Sequence, residues 1–118
     1  MELERIKEIV IEALEDIKGF QIKSINVRVK SSFTDIMIIV SGNTARQVKA
    51  IGNNLIEVAR KQNITVLGSE GEQQGEWMLV DLGDIVVHIM QPDIRDFYNL
   101  EKLWGDDSPN IVSNDVSL

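Results

Sequence analysis

Hydrophobic residues recur at helical spacing in three segments of the chain. The first segment, residues 2–18, carries an apolar stripe between Glu and Lys positions and stops at a glycine. The second, residues 44–63, opens with Thr44 three residues before Gln47, which is the spacing of a capping box. The third, residues 92–104, opens on a proline, which is favoured in the first turn of a helix. The pattern therefore predicts three helices.

Strand-like patterns fill the intervals between these helices. Residues 20–30 alternate apolar and polar positions but change phase part-way, which predicts a strand with a bulge or bend near Ser24. Residues 36–40 are apolar on both faces, as expected for a central strand that is covered on both sides. The segment ITVLGSEGEQQGE, residues 64–76, is predicted to be a short strand followed by a loop rich in Gly and Glu.

The order of these elements indicates the fold class. Helices that alternate with apolar strands predict an α/β (α+β) domain, in which helices pack on a mixed β-sheet. The chain has 118 residues, enough to bury a real core in one domain. We assign residues 1–104 to this single domain. Residues 105–118 show little periodicity, which predicts a flexible C-terminal tail.

The stretch WMLVDLGDIVVHIM, residues 77–90, places a Trp, two Asp and the only His of the chain inside an apolar run. Gly83 and Asp84 form a two-residue turn signal, so the simplest prediction is a β-hairpin with these residues as its loop. The register that follows sets Trp77 opposite Met90. Since side chains alternate along a strand, the hairpin has two distinct faces.

One predicted face of the hairpin is entirely apolar and should belong to the core: Met78, Val80, Leu82, Ile85, Val87 and Ile89. The other face collects the polar groups of both strands: Trp77, Leu79, Asp81, Val86, His88 and Met90. Tryptophan is enriched at interface hot spots, so this second face is a candidate docking surface for another protein. The register also sets His88 diagonally across from Trp77 and Asp81. A hydrogen bond between Asp81 and His88 would raise the pKa of the imidazole.

Three other interpretations of the second face stay open. A lone His among apolar neighbours is commonly a core residue. A helix packed on the face would cover it, although that helix would have to accommodate Asp81. A catalytic Asp–His pair would need a nucleophile and an oxyanion site. No serine lies in a G-x-S-x-G elbow and no glycine-rich loop has a phosphate-binding spacing, so we expect no enzyme, no catalytic residue and no cofactor.

Composition and charge indicate which class of partner and which cellular compartment to expect. The chain has no cysteine and one His, so disulfides and thiolate chemistry are excluded and we expect no metal site. No apolar segment is long enough to span a bilayer, and the acidic N-terminus lacks the features of a secretory signal, so we expect a cytoplasmic protein. Residues 65–118 carry eleven acids and two bases. This charge would repel phosphate and favours a basic protein over nucleic acid as partner.

Three stretches of the sequence strongly resemble the ribosomal silencing factors, also called the Iojap family: SSFTDIMIIVSGNTARQVKAI, GEWMLVDLGDIVVHIM and RDFYNLEKLW. The likeness runs from the first helix to Trp104. It implies a fold similar to a nucleotidyltransferase core, but without the catalytic motif of those enzymes. Their second metal-binding carboxylate would stand at Met37 in the run Asp35-Ile36-Met37. The resemblance therefore also implies a protein that is not an enzyme.

The resemblance implies a translational repressor. Such a protein binds the large ribosomal subunit through its conserved protein fourteen and sterically blocks joining of the small subunit when nutrients run low. The resemblance also leads us to expect a homodimer. The residues that we expect to bind the partner are Trp77, Leu79, Asp81, His88, Met90, Tyr98 and Trp104, with Gly83 and Asp84 as the turn. We expect Leu100 and Leu103 to seat the last helix on the sheet. The alternatives are an assembly adaptor of the large subunit without anti-association activity, and a degenerate nucleotidyltransferase-like enzyme.

Overall fold

The structure, a computed structural model, describes residues 2–105. Its helices and strands follow one another in this order: α1 Leu3–Asp16, β1 Phe20–Asn26, β2 Ile36–Ser41, α2 Ala45–Lys61, β3 Gly68–Glu70, β4 Trp77–Asp81, β5 Ile85–Met90, α3 Pro92–Tyr98 and α4 Leu100–Gly105. The strands form one sheet in the order β1-β2-β5-β4-β3. β2 and β5 are parallel, and the other neighbouring pairs are antiparallel. The predicted mixed sheet packed by helices is therefore confirmed. The predicted tail, from residue 106 onward, lies outside the described residues.

Each face of the sheet carries its own apolar core. On one face, buried side chains of α1 and α2 pack against alternate residues of β2, β4 and β5. On the other face, α3 and α4 pack over a smaller core of buried residues, which are Ile25, Val27, Met37, Ile39 and Met90. β2 is buried along its whole length because helices cover it on both sides. This confirms the central strand predicted from residues 36–40.

The N-terminus of α2 has one of the two capping-box hydrogen bonds that the sequence predicts, and the second is shifted by one residue, from Thr44 to Asn43. The hydroxyl of Thr44 accepts a hydrogen bond from the backbone N–H of Gln47 at 3.0 Å. The side-chain carbonyl of Gln47 accepts in return from the backbone N–H of Asn43 at 2.7 Å. The amide nitrogen of Gln47 also donates to the carbonyls of Ile17 and Lys18. The cap therefore ties the start of α2 to the end of α1.

Two of the strand predictions are displaced along the chain. The bulge in β1 lies between Phe20 and Lys23, just before Ser24 in the sequence. It arises because Gln21 adopts a left-handed conformation with φ 52°. β3 begins at Gly68 and not at Ile64. Ile64 is buried in the core, and its backbone N–H donates to the carbonyl of Ala59 near the end of α2. Ile64 therefore belongs to the end of the helix and not to the strand.

The predicted third helix is in fact two short helices. Asn99 separates α3 from α4 and adopts a left-handed conformation with φ 48°. Asparagine tolerates this conformation better than most residues, because its short polar side chain can hydrogen-bond locally. The side chain of Asn99 accepts from the backbone N–H of Lys102, which opens the next helix. The break is not evident from the sequence, because the apolar residues keep nearly helical spacing across it and Leu100 still packs against the sheet.

Candidate functional site

The hairpin of β4 and β5 has the register that the turn signal predicts. Trp77 lies opposite Met90, and the remaining pairs follow in sequence. Gly83 has φ 88°, a conformation that glycine adopts without a steric penalty. The carboxylate of Asp81 accepts from the backbone N–H of Gly83 at 2.9 Å. The carbonyl of Asp84 accepts from two N–H groups at the start of β2, so the turn is tied to the centre of the sheet.

The two faces of the hairpin separate as predicted. All six side chains of the apolar face are buried in the core beneath α1 and α2. The second face is divided into a covered and an open part. Met90 is fully buried beneath α3 and α4, so it has no exposed surface to offer a partner. Trp77, Leu79 and Asp81 remain partly exposed. Both earlier interpretations of this face are thus correct in part. Helices cover the end with Met90, and the end with Leu79 and Asp81 stays accessible.

His88 does not form the hydrogen bond that we expected. Its Nδ1 accepts a hydrogen bond from the indole Nε1 of Trp77 at 2.9 Å. Among the hydrogen bonds within residues 2–105, none joins Asp81 to His88, because the carboxylate of Asp81 is bound to the turn instead. The side chain of His88 is only 8% exposed, and this burial lowers the pKa of the imidazole to about 4. The predicted Asp81–His88 pair and the raised pKa are therefore wrong.

The open part of the face continues into three aromatic rings. Trp77 contacts Tyr98 with ring centroids 4.9 Å apart, and Tyr98 contacts Phe97 edge-on at 5.0 Å. Tyr98 is 52% exposed and Phe97 is 78% exposed. Beside the indole, a cleft of about 250 Å³ is lined by Glu70, Gly71, Trp77 and Leu79. We call Trp77, Leu79, Phe97 and Tyr98 the aromatic surface.

The residues of α4 that we singled out from the sequence differ in burial. Leu100 and Trp104 are partly buried and pack against the smaller core. Leu103 is 64% exposed, so the expectation that it seats the helix is wrong. Trp104, which we expected to bind the partner, packs part of its side chain against the smaller core, so only the rest of it is accessible.

A buried arginine holds the helices that carry the aromatic rings. The guanidinium of Arg95 donates from Nη1 to the hydroxyl of Ser41 at 2.8 Å. Its Nε and Nη2 donate to one carboxylate oxygen of Glu101 at 3.2 and 3.0 Å. These contacts join α3, which carries Tyr98, to α4 and β2. The sequence offered no signal for this network, because an Arg on a helix is ordinarily solvated.

Phe97 of the aromatic surface, and Glu70 and Gly71 of the adjacent cleft, were not among the expected binding residues. Phe97 stands within the RDFYNLEKLW stretch, but its high exposure becomes evident only in the structure. Glu70 and Gly71 border Trp77 through the pairing of β3 with β4. The sequence could not indicate them, because the strand was expected at residue 64 and the pairing was unknown.

In the part of the chain that the structure describes, the remaining ionisable groups form no cluster suited to a metal ion. Within residues 2–105, no group of three or more His, Cys, Asp or Glu side chains is arranged to hold a metal ion. Asp35 forms an ion pair with Arg28 at 3.5 Å, and its neighbour Met37 is buried in the smaller core. None of the helices in this part of the chain is long and apolar enough to cross a membrane.

Comparison with known proteins identifies the family. The fold and its exposed surface define a small mixed α/β domain. Residues 1–117 match the model of the family described as "Ribosomal silencing factor during starvation". A ribosomal silencing factor from Chromobacterium violaceum is 44% identical over 112 residues, covering 95% of this chain and 92% of that protein. The chain therefore belongs to the family of ribosomal silencing factors.

Other relatives agree with this assignment. The crystal structure of a protein from Chromobacterium violaceum superposes with a TM-score of 0.87 at 42% sequence identity, covering 97% of this chain and 95% of the other. A more distant mouse protein is named "Mitochondrial assembly of ribosomal large subunit protein 1". It is 32% identical over 83 residues, which is 68% of this chain and 36% of the mouse protein. The fold prediction is confirmed by these likenesses.

Proposed function

We propose that this protein is a translational repressor that binds the large ribosomal subunit through its conserved protein fourteen. Bound there, it sterically blocks joining of the small subunit when nutrients are limited. The family description, which joins ribosomal silencing to starvation, supports the biological role. The aromatic surface is the observation that carries the docking mechanism. The proposed setting is the cytoplasm, where ribosomal subunits join.

The aromatic surface suits a protein partner. Trp and Tyr are the residue types most enriched at binding hot spots, and here their rings contact each other with centroids 4.9 Å apart. Trp77 is anchored in a strand of the sheet, and Tyr98 lies at the end of a helix that Arg95 holds in place. Rigid aromatic anchors contribute contact area with little loss of conformational freedom. The surface is therefore prepared for binding before a partner arrives.

The charge on the Trp77 side of the aromatic surface suits a basic partner. Glu70 lines the cleft beside Trp77, and Asp81 lies on the same face of the sheet as the indole. The C-terminal half that carries these residues has a large excess of acids over bases. Opposite charge on the partner would accelerate encounter and fix the orientation of docking. A basic ribosomal protein meets this requirement better than exposed RNA phosphates do.

The proposed mechanism is steric and not catalytic. A bound domain needs only to occupy the space that the small subunit requires, so no reacting group is involved. The run from Asp35 to Met37 lacks a second carboxylate, and Met37 is instead part of a core. We propose no cofactor for this activity. A homodimer is a further proposal, which the resemblance to the family supports.

A second candidate function is an adaptor for assembly of the large subunit. The observation that favours it is the name of the mouse relative, which refers to mitochondrial assembly of the ribosomal large subunit. Such an adaptor would use the same docking surface without excluding the small subunit. The two functions thus differ in what binding does to subunit joining.

Sedimentation of purified ribosomal subunits separates these functions. We expect the protein to travel with large subunits and to reduce the amount of joined ribosomes as its concentration rises. If subunits join normally while the protein stays bound to them, the silencing mechanism is wrong and the adaptor gains support. A Trp77→Ala variant with retained fold is the matched control, and it should fail to reduce subunit joining. Binding of nucleotide with a divalent cation, measured by calorimetry, would instead favour a degenerate nucleotidyltransferase-like enzyme.

A further inference from the structure

His88 and Trp77 form a hydrogen-bonded pair across the two strands of the hairpin. The residues lie on adjacent strands and on the same face of the sheet, in diagonal register. Trp77 Nε1 donates to His88 Nδ1 at 2.9 Å, and the ring centroids are 5.8 Å apart with an angle of 49° between the planes. The geometry is that of a direct hydrogen bond and not of stacked rings.

His88 has little surface of its own to present to another protein. Its side chain is 8% exposed, whereas its donor Trp77 is partly exposed on the aromatic surface. Any contribution of His88 to docking must therefore act through the indole. This differs from the direct contact with a partner that the sequence suggested for His88.

The chemistry of the two rings fixes the protonation state of the histidine. An indole N–H can only donate, so the Nδ1 that accepts from Trp77 carries no proton. The imidazole is neutral near pH 7, because burial lowers its pKa to about 4. Its proton therefore resides on Nε2, and Nδ1 is a permanent acceptor under ordinary conditions.

A second ring holds the indole from another element. Tyr98, at the end of α3, contacts Trp77 at a centroid distance of 4.9 Å. Without the acceptor on β5, the indole would be held only by this contact and by its packing against the smaller core, and neither fixes the direction of its N–H. Ordering a mobile side chain on binding reduces affinity. Two supports from different elements remove most of that loss in advance.

We propose that His88 is a positioning residue of the docking surface, whose unprotonated Nδ1 holds the indole of Trp77 in one orientation before a partner binds. The inference rests on the proposed function for its binding measurement. The arrangement of the two rings can be measured on the free protein, independently of the ribosome. The two claims can therefore fail separately.

The first measurement uses the unmodified protein. Nitrogen-15 NMR of the imidazole reports which ring nitrogen carries the proton. We expect the Nε2–H form at neutral pH and a cross-peak across the hydrogen bond from the indole of Trp77. A protonated Nδ1 in the folded protein would overturn the proposal, because that nitrogen could not accept from the indole.

The second measurement compares two variants of nearly equal shape. Asn places an acceptor oxygen close to the position of Nδ1, whereas Leu has the same branching and no acceptor. We expect His88→Leu to shift the indole N–H resonance, to increase its exchange with water, and to weaken binding to purified large subunits about three- to tenfold. His88→Asn should restore all three properties towards those of the unmodified protein. A Trp104→Phe variant assigns the two indole resonances.

The outcomes distinguish positioning from a merely structural role. If His88→Leu folds and leaves the indole resonance unchanged, or if it frees the indole without weakening binding, the proposal is wrong. If His88→Leu fails to fold, the tautomer of the unmodified protein and the behaviour of His88→Asn still decide it. If the unmodified protein does not bind large subunits, the proposed function fails, while the NMR measurements still decide whether His88 holds Trp77.

Discussion

Arg95 and Glu101 are joined by two hydrogen bonds across the break between α3 and α4. Both bonds reach the same carboxylate oxygen, and the third donor of the guanidinium reaches Ser41 in the central strand β2. Arg95 is buried, whereas Glu101 is partly exposed. The pair closes the turn that Asn99 opens, so two helices too short to be stable alone are fixed on the sheet.

Loss of the Glu101 charge should destabilise the fold. Glu101→Gln preserves shape but leaves the buried guanidinium of Arg95 without its counter-ion, and an uncompensated buried charge is costly. We expect the free energy of unfolding to fall by about 2 kcal/mol, less than for a fully buried pair because Glu101 retains contact with water. Urea denaturation at neutral pH measures this change.

Glu57 provides a matched control for this substitution. It forms an ion pair with Lys61 one turn away on α2, at 3.4 Å, with both side chains mostly exposed. Glu57→Gln should change the free energy of unfolding by about 0.5 kcal/mol or less, because exposed pairs contribute little. Similar losses in the two variants would show that the Arg95 network does not hold the helices.

The aromatic surface should contain the strongest contributors to ribosome binding. We expect Trp77→Ala to weaken binding to the large subunit by about 2 kcal/mol or more, and Tyr98→Ala to have an effect above about 1 kcal/mol. The reason is that each truncation removes an aromatic anchor and also a ring that supports the other. Equilibrium binding to purified large subunits, measured at fixed salt, checks both values.

Phe33 serves as the control for exposed aromatic area. It is 93% exposed in the connection between β1 and β2, and it belongs to none of the ring contacts within the described part of the chain. Phe33→Ala should leave affinity unchanged, since it removes a similar ring from outside the aromatic surface. A loss of affinity with Phe33→Ala equal to that with Trp77→Ala would move the docking surface elsewhere.

The hairpin was predictable in detail because two independent signals agreed. The Gly83-Asp84 turn fixed the loop, and the two-residue period of apolar side chains fixed which face is buried. The partner of His88 was not predictable from this register. Both Trp77 and Asp81 lie diagonal to it, and the choice depends on Asp81 binding the N–H of Gly83 instead.

The ends of the sheet and of the last helix show where the pattern of the sequence is weakest. β3 has three exposed residues, so no apolar period marks its position. The break at Asn99 arises from one backbone conformation, which leaves the spacing of the apolar residues nearly intact. The sequence placed Met90 on an open surface, because the register of the hairpin does not show where α3 and α4 pack.

Stability should fall in mild acid because His88 is buried in its neutral form. The folded state holds the pKa at about 4, below the ordinary value of 6.5, so the unfolded chain takes up the proton first as the pH falls. The contribution of the neutral imidazole is complete above the unfolded value and is lost between pH 6.5 and 4. We expect the free energy of unfolding to decrease by about 2 kcal/mol from pH 7 to 4.5 through this group.

Comparison with His88→Asn isolates this contribution from that of the carboxylates. The variant lacks the titrating ring, so its loss of stability over the same pH range should be smaller by that amount. Urea denaturation of both proteins at several pH values gives the difference directly. Parallel curves for the two proteins would contradict a buried neutral His88.

Two glycines with the same backbone conformation should respond differently to substitution. Gly71 and Gly83 have φ 87° and 88°, so an added Cβ introduces similar backbone strain at both, about 1 kcal/mol. At Gly83 the nearest atom to that Cβ is a methyl of Leu67 at 3.7 Å, which is an ordinary contact. At Gly71 the Cβ would overlap the backbone carbonyl oxygen of Trp77, which cannot move without disturbing β4.

We therefore expect Gly83→Ala to lower the free energy of unfolding by about 1 kcal/mol, and Gly71→Ala by at least about 2 kcal/mol more. Urea denaturation measures both losses, and the indole resonance of Trp77 should shift in Gly71→Ala alone. Equal losses in the two variants would mean that the approach of Gly71 to Trp77 is not close, and the cleft beside the indole would then have to be wider than the structure shows.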